Sequence, residues 1–126
     1  MASDQKRVLL VEDDKFLRRA CEKSLRQQGF NVATAVDGEE ALRAIQAEPP
    51  DLILLDILMP KVTGTEVLRA LKSDERTRAI PVLILTNSSK ESDVREIEKL
   101  GVAGYRVKAN LSLEELGTEV RHLLEG

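Results

Sequence analysis

The feature that most constrains this chain is the run Leu52-Ile53-Leu54-Leu55-Asp56-Ile57-Leu58-Met59-Pro60. Four consecutive branched apolar residues make a strand that is apolar on both faces, as a central strand of a parallel sheet must be. The run delivers one carboxylate, Asp56, to its C-terminal end, and Pro60, which has no N–H to give, rules out further ladder pairing. A charge at that point is costly unless it is paired, liganded or in a cleft. In open α/β sheets the carboxyl ends of the strands are where ligands bind. Asp56 is therefore the first candidate for chemistry.

The rest of the chain repeats this theme. Arg7-Val8-Leu9-Leu10-Val11 reads as a strand buried on both faces and ends in Glu12-Asp13-Asp14. Asp14 suits the N-cap of a helix from Lys15 to Gln28, where Leu17, Cys21 and Leu25 recur at i, i+4, i+8 and Gly29 suits the terminating left-handed position. Phe30 to Ala35 is less apolar and partly alternating, hence an edge strand. Asp37-Gly38-Glu39-Glu40 is a capping box for a helix through Ala47, with Ala41, Ala44 and Ile45 inward, stopped by Pro49-Pro50. Thr63-Gly64-Thr65-Glu66 opens a third helix whose apolar face is Val67, Leu68 and Leu71, and Ser73 to Ala79 is a polar surface connection. Pro81 to Leu85 is a fourth strand, ending in Thr86-Asn87-Ser88-Ser89. Ser88 and Glu91 can box the next helix, with Val94, Ile97 and Leu100 inward and Gly101 closing it. Val102 to Val107 is a fifth strand, ending at Lys108. A last helix begins at Ser112 with Glu115 at N3, stapled by Leu111 and Leu116, its buried stripe being Leu113, Leu116, Val120 and Leu123. Gly117 inside it costs roughly 1 kcal/mol against Ala.

Five strand–helix units in succession predict a parallel sheet covered by helices on both faces. Right-handed crossovers leave few arrangements, and the doubly wound, flavodoxin-like order 2-1-3-4-5 is the natural one. It places strands one and three side by side, so that their terminal acids converge.

Composition narrows the functional classes. The chain has 126 residues, 42% hydrophobic and 33% charged, which suits one soluble domain over residues 1–126, with residues 1–6 expected as a flexible tail. A net charge of −3 gives no electrostatic support for nucleic acid as a direct partner. One cysteine excludes an internal disulfide or a cysteine-based zinc site and fits a reducing, cytoplasmic setting. Residues 1–7 lack the apolar region of a signal peptide, and no apolar run reaches the ~20 residues that span a bilayer, so no membrane role is expected. Cys21 reads as a small buried hydrophobe and His122 as an exposed residue near a helix C-terminus. Lys15, Arg18, Arg19, Lys23 and Arg26 make the first helix basic, either as a solvated face or as a docking surface for an acidic partner.

The strand ends carry the chemistry. They supply Glu12 and Asp13, Asp56, Thr86 and Lys108. Carboxylates from adjacent strands repel unless a cation sits among them, and hard oxygen ligands with room for water suit Mg²⁺. Thr86 offers a hydroxyl, and Lys108 a point charge able to pair with a carboxylate or a phosphoryl oxygen. Such a set is built to move a phosphoryl group onto a carboxylate, with Asp56 as nucleophile.

On these residues the chain resembles a response-regulator receiver domain of two-component signalling, of the chemotaxis type. The matching pieces are Val11-Glu12-Asp13-Asp14, Leu55-Asp56-Ile57-Leu58-Met59-Pro60, Gly64, Leu85-Thr86 and Tyr105-Arg106-Val107-Lys108, in the family's order and spacing. The resemblance implies that Asp56 is the phosphoacceptor for a sensor histidine kinase or a histidine phosphotransfer protein. It implies a Mg²⁺ (or Mn²⁺) held by Glu12, Asp13, Asp56 and the backbone carbonyl of Leu58. It implies that Thr86 and Lys108 grip the phosphoryl oxygens, and that Tyr105 follows Thr86 and links the site to the face of helix four, strand five and helix five. Output then passes to a downstream effector protein, the chain being a monomer with a phosphorylation-dependent dimer as an option and having no independent substrate turnover. Two departures stand out: Lys108 is followed by Ala109, where the family usually has a cis proline, and Thr86 by Asn87, where a small alanine is common.

Other classes fit less well. A haloacid-dehalogenase-type phosphatase wants a second acid two residues after the nucleophile, where this chain has Leu58. A flavodoxin-like flavin carrier needs a phosphate-cradling loop after strand one, where Glu12-Asp13-Asp14 would repel the ligand. A pseudo-receiver, acting as a pure interaction module, predicts loss of the Asp, the acid pair or the Lys, and all are present.

Overall fold

The computed structural model describes residues 5–57, 62–87 and 91–125, residues 91–94 by backbone only. Five parallel strands, β1 (Arg7–Val11), β2 (Asn31–Ala35), β3 (Leu52–Asp56), β4 (Val82–Thr86) and β5 (Gly104–Val107), lie in the order β2-β1-β3-β4-β5. They alternate with α1 (Lys15–Gln27), α2 (Gly38–Ala47), α3 (Gly64–Ser73), α4 (Glu91–Leu100) and α5 (Leu113–Glu125). This is the doubly wound, flavodoxin-like arrangement that the alternation of apolar runs predicts.

The sheet divides the core in two, which explains the unbroken apolar runs. Along β3, Ile53 and Leu55 face a cluster with α2, α3 and α4, built on Ala41, Ile45, Val67, Leu68, Leu71 and Ile97. Leu52 and Leu54 face the opposite cluster, with Cys21 and Leu25 of α1 and Leu116 and Val120 of α5. Each fully buried Leu or Ile contributes roughly 1.5–3 kcal/mol of transfer free energy, so alternation in β3 would empty one of the two layers. β2 is an edge and shows it: Asn31 is exposed and only Val32 and Ala35 are buried.

The helix ends follow the local chemistry. Asp14 Oδ1 accepts from the N–H groups of Phe16 (2.9 Å) and Leu17 (3.2 Å), and Asp37 Oδ1 from Glu40 (2.8 Å). At α3 the Thr63 hydroxyl accepts from Glu66 N–H (3.2 Å) and donates to the Glu66 carboxylate (3.3 Å). Ser112 Oγ accepts from Glu115 N–H (3.3 Å) to start α5. Gly29 (φ +99°) and Gly101 (φ +89°) take the left-handed conformation that ends α1 and α4. The expected Ser88–Glu91 box lies outside the described residues.

β5 starts at Gly104, two residues later than its apolar pattern suggests. Val102 instead packs half-buried against the α2–α3–α4 core, and only the Ala103 N–H (2.9 Å to Val82 O) begins the pairing. β4 runs one residue further than expected and includes Thr86, while Pro81 lends only its carbonyl, to Ile53 N–H (3.0 Å). In α5, Leu116 and Val120 are buried and Leu113 and Leu123 half-buried.

Candidate functional site

Register brings the strand ends together. Val11 of β1 pairs with Leu55 of β3, so Glu12 and Asp56 leave the sheet side by side. Thr86 of β4 pairs with Val107 of β5, which places Lys108 one step past the ladder. Glu12 is completely buried and Asp56 is 2% exposed, as is Thr86, whereas Asp13 is exposed. Two buried carboxylates at the end of an apolar sheet must be held by counter-charge.

Lys108 provides part of it. Its ammonium Nζ lies 2.6 Å from Glu12 Oε1 and 3.1 Å from Asp56 Oδ2. The first contact is a short, charge-assisted ion pair at a fully buried carboxylate. Glu12 Oε2 accepts from Asp14 N–H at 3.0 Å. One cation does not balance three acids. Burial above all, and then the charge of Glu12, push the Asp56 carboxyl up to about 7, although Lys108 pulls it down. Burial alone would lower the Lys108 pKa, but its contacts with Glu12 and Asp56 outweigh that and hold it above its ordinary value.

One carboxylate oxygen from each of Glu12, Asp13 and Asp56 can be chosen so that all lie within 4.8 Å of one another. The donor set is hard and anionic, one member is exposed, and a second cation would relieve the repulsion that raises Asp56. The residues present therefore fit a divalent ion such as Mg²⁺. The site opens into a cavity of about 670 Å³ bordered by Asp13, Asp14, Phe16, Asp56, Asn87 and Lys108.

Glycine lets the walls close in. A Cβ on Gly64 would lie 2.3 Å from the Asp56 carbonyl oxygen, so only glycine lets the start of α3 pass behind the acid. Gly64 N–H donates to Ile57 O at 3.0 Å and fixes that approach.

The other residues singled out in the sequence fall as follows. Tyr105 is half-buried, pairs with Ile84 in register and packs against the α2–α3–α4 core. Leu58 lies outside the described residues. Among the described residues there is no cis peptide bond, so Lys108–Ala109 is trans, and a 3-10 turn over Lys108–Asn110 carries the chain into α5. Asn87 is exposed at the cavity wall. Burial pushes the Cys21 thiol up to about 11, which makes it a packing residue rather than a nucleophile. His122 is exposed. Sequence reasoning missed two neighbours. Phe16 is 86% exposed at the cavity rim, and Arg18 turns from the basic face of α1 towards the main chain of the acidic turn. A charge turned to a backbone carbonyl has no sequence signature.

With this geometry in view, the relationships of the chain are plain. It belongs to the response-regulator receiver domain family, whose sequence profile matches residues 8–121. It is a receiver domain of the kind found in two-component response regulators. The chemotaxis protein CheY of Pseudomonas aeruginosa is 39% identical over 103 residues, covering 81% of this chain and 83% of that protein. The transcriptional regulatory protein AfsQ1 of Streptomyces coelicolor is 41% identical over 101 residues, 80% of this chain but 44% of that protein. The chain thus spans about half the length of the transcriptional regulators it matches. Among solved structures, Vibrio cholerae chemotaxis protein CheY4 superposes with a TM-score of 0.86 at 30% identity, covering 94% of this chain and 98% of that one. The phosphorylated cyanobacterial phytochrome response regulator RcpA superposes with a TM-score of 0.82 at 35% identity, covering 96% and 92%. Among the described residues no helix is long and apolar enough to cross a membrane.

Proposed function

We propose that the chain is a phosphoacceptor switch acting in the cytoplasm. It takes a phosphoryl group from the phosphohistidine of a sensor histidine kinase or a histidine phosphotransfer protein onto Asp56. The observation that carries this reading is the convergence of the Glu12, Asp13 and Asp56 carboxylates with Lys108 spanning Glu12 and Asp56.

A carboxylate oxygen of Asp56 attacks phosphorus, the P–O bond forms as the P–N bond breaks, and the imidazole leaves with its electron pair. Glu12, Asp13, Asp56 and the carbonyl of Leu58 would hold a Mg²⁺ or Mn²⁺ ion, which supplies charge neutralisation for the incoming phosphoryl oxygens. Lys108, already 3.1 Å from Asp56, exchanges that carboxylate contact for a phosphoryl oxygen once the acid is phosphorylated. Thr86, at the end of β4, donates its hydroxyl to a second oxygen. Tyr105 on β5 then repacks with Thr86 and alters the surface made by α4, β5 and α5, which a downstream effector protein, or a second copy of the chain, reads. Slow hydrolysis of the acyl phosphate resets the switch without turnover of any independent substrate.

The test is intact-protein mass after incubation with acetyl phosphate, with and without Mg²⁺, for the wild type and Asp56→Asn. One Mg²⁺-dependent phosphoryl group, absent from the variant, is the expected result. No gain in the wild type would favour a pseudo-receiver that works by binding alone.

A further inference from the structure

The turn between β1 and α1 is held from three sides. Glu12 N–H donates to Ala35 O at 3.0 Å, one residue past the end of β1, and Asp14 O accepts from Arg18 N–H at 2.9 Å. The third hold is the Arg18 side chain, whose Nη1 donates to the carbonyl oxygens of Glu12 at 3.0 Å and Asp13 at 3.3 Å. In a trans peptide the C=O and the following N–H point opposite ways in one rigid plane. The Asp13 carbonyl and the Asp14 N–H are the two ends of one such plane. Arg18 holds the carbonyl end, and the N–H end donates to Glu12 Oε2 at 3.0 Å. Glu12 Oε1 meets Lys108 at 2.6 Å, and Lys108 meets Asp56 at 3.1 Å. An unbroken series of contacts thus runs from the guanidinium to the candidate nucleophile.

Arg18 differs from the other cations of α1. Lys15, Arg19, Lys23 and Arg26 are exposed, and Arg26 pairs with Glu22 at 2.7 Å, whereas Arg18 is half-buried and lies behind the turn rather than in the cavity lining. Its charge is permanent at any pH the protein tolerates, so its hold does not titrate away.

We propose that Arg18 is a positioning residue for the divalent cation. By fixing the Asp13–Asp14 peptide it aims the Glu12 carboxylate and carries the Asp13 side chain to the same side as Asp56. This rests on reading Glu12, Asp13 and Asp56 as the cation site. Outer partners of metal ligands typically carry ~10- to 100-fold in metal affinity, and a hold on the main chain should fall near the low end, about 10-fold.

The experiment uses the full chain, as wild type, Arg18→Met and Arg18→Lys. Mg²⁺ affinity is measured by calorimetry and Mn²⁺ affinity by electron paramagnetic resonance, alongside the amide proton shift of Asp14 in the metal-free protein. The expected result is about 10-fold weaker binding in Arg18→Met, recovery of most of it in Arg18→Lys, and an upfield move of the Asp14 amide proton as its bond to Glu12 loosens. Equal affinity in all three, with only a lowered melting temperature in Arg18→Met, would reduce Arg18 to a structural residue and overturn the proposal. Tighter binding in Arg18→Met would overturn it too, because the guanidinium would then act as a competing charge. If the wild type itself bound neither ion, the cation-site reading would fail first and this inference with it. An unmoved Asp14 amide beside an intact wild-type affinity would sink the inference alone. Arg18→Gln carries the same comparison should Arg18→Met not fold.

Discussion

Asp56 is held in a state that costs stability until something neutralises its surroundings. An unfolded aspartate titrates near 3.9, whereas burial and the Glu12 charge push the folded group up to about 7. Between those values the folded protein keeps a proton that the unfolded chain has released. The contribution of Asp56 to metal-free stability should therefore fall as pH rises from about 4 to about 7, then level off. The gap of three units corresponds to at most roughly 4 kcal/mol at ~1.36 kcal/mol per unit. Lys108, its pKa held above the ordinary lysine value, stays charged across this window and adds no slope. Asp56→Asn, neutral at every pH, should flatten the curve and be more stable than the wild type at pH 8 by roughly 1–3 kcal/mol. Urea denaturation with a chelator at pH 4.5, 6 and 8 measures this, and parallel curves for the two proteins would refute it.

At the scale of elements, the start of α3 is as much a part of the site as the acids. Gly64→Ala would drive a Cβ to 2.3 Å from the Asp56 carbonyl and 2.6 Å from the Ile57 Cα, both main-chain atoms that cannot swing aside. The helix must retreat or the strand end must shift. The expected cost is about 2–4 kcal/mol, with slower phosphorylation of whatever remains folded, read by urea melts and by mass after acetyl phosphate. A variant as stable and as reactive as the wild type would mean that α3 has slack the packing does not show. The order of strands and helices was legible because two-sided burial forces unbroken runs such as Leu52 to Leu55 and because caps such as Asp14, Asp37 and Thr63 are written in side chains. The acids, Thr86 and Lys108 were legible for the same reason, each sitting where an apolar run stops. What escaped was whatever depends on the main chain or on another element. Val102 spends its apolar surface on the helix side rather than in the ladder, so β5 starts late. Arg18 bonds to carbonyls, which every sequence has. Phe16 stands in the helix beside Leu17, yet only the fold shows that Leu17 turns towards the core while Phe16 stays in solvent at the cavity rim.

For the whole molecule, the sheet concentrates its electrostatic strain at one edge while hydrocarbon fills both layers. The two cores favour folding whatever the state of the site, but the acids at the carboxyl edge oppose it until counter-charge arrives. A cation that binds the folded chain and not the unfolded one must then stabilise everything the sheet holds together. At a Mg²⁺ concentration ten times its dissociation constant, the gain is RT ln 11, about 1.4 kcal/mol. For a chain of this length each kcal/mol moves the melting temperature by about 4 °C, so a rise of about 6 °C is expected. Asp13→Asn removes one of the three acids and should lose most of that rise, while melting higher than the wild type in a chelator because the repulsion at the edge is relieved. Potassium chloride at matched ionic strength controls for screening, which acts on exposed charges far more than on the buried Glu12 and Asp56. Calorimetric melts decide the matter. If Mg²⁺ and potassium chloride shift the wild type equally, the acidic edge binds no specific ion and the counter-charge must come from elsewhere. If Mg²⁺ alone shifts the wild type and not Asp13→Asn, the site and the stability of the fold are one coupled system.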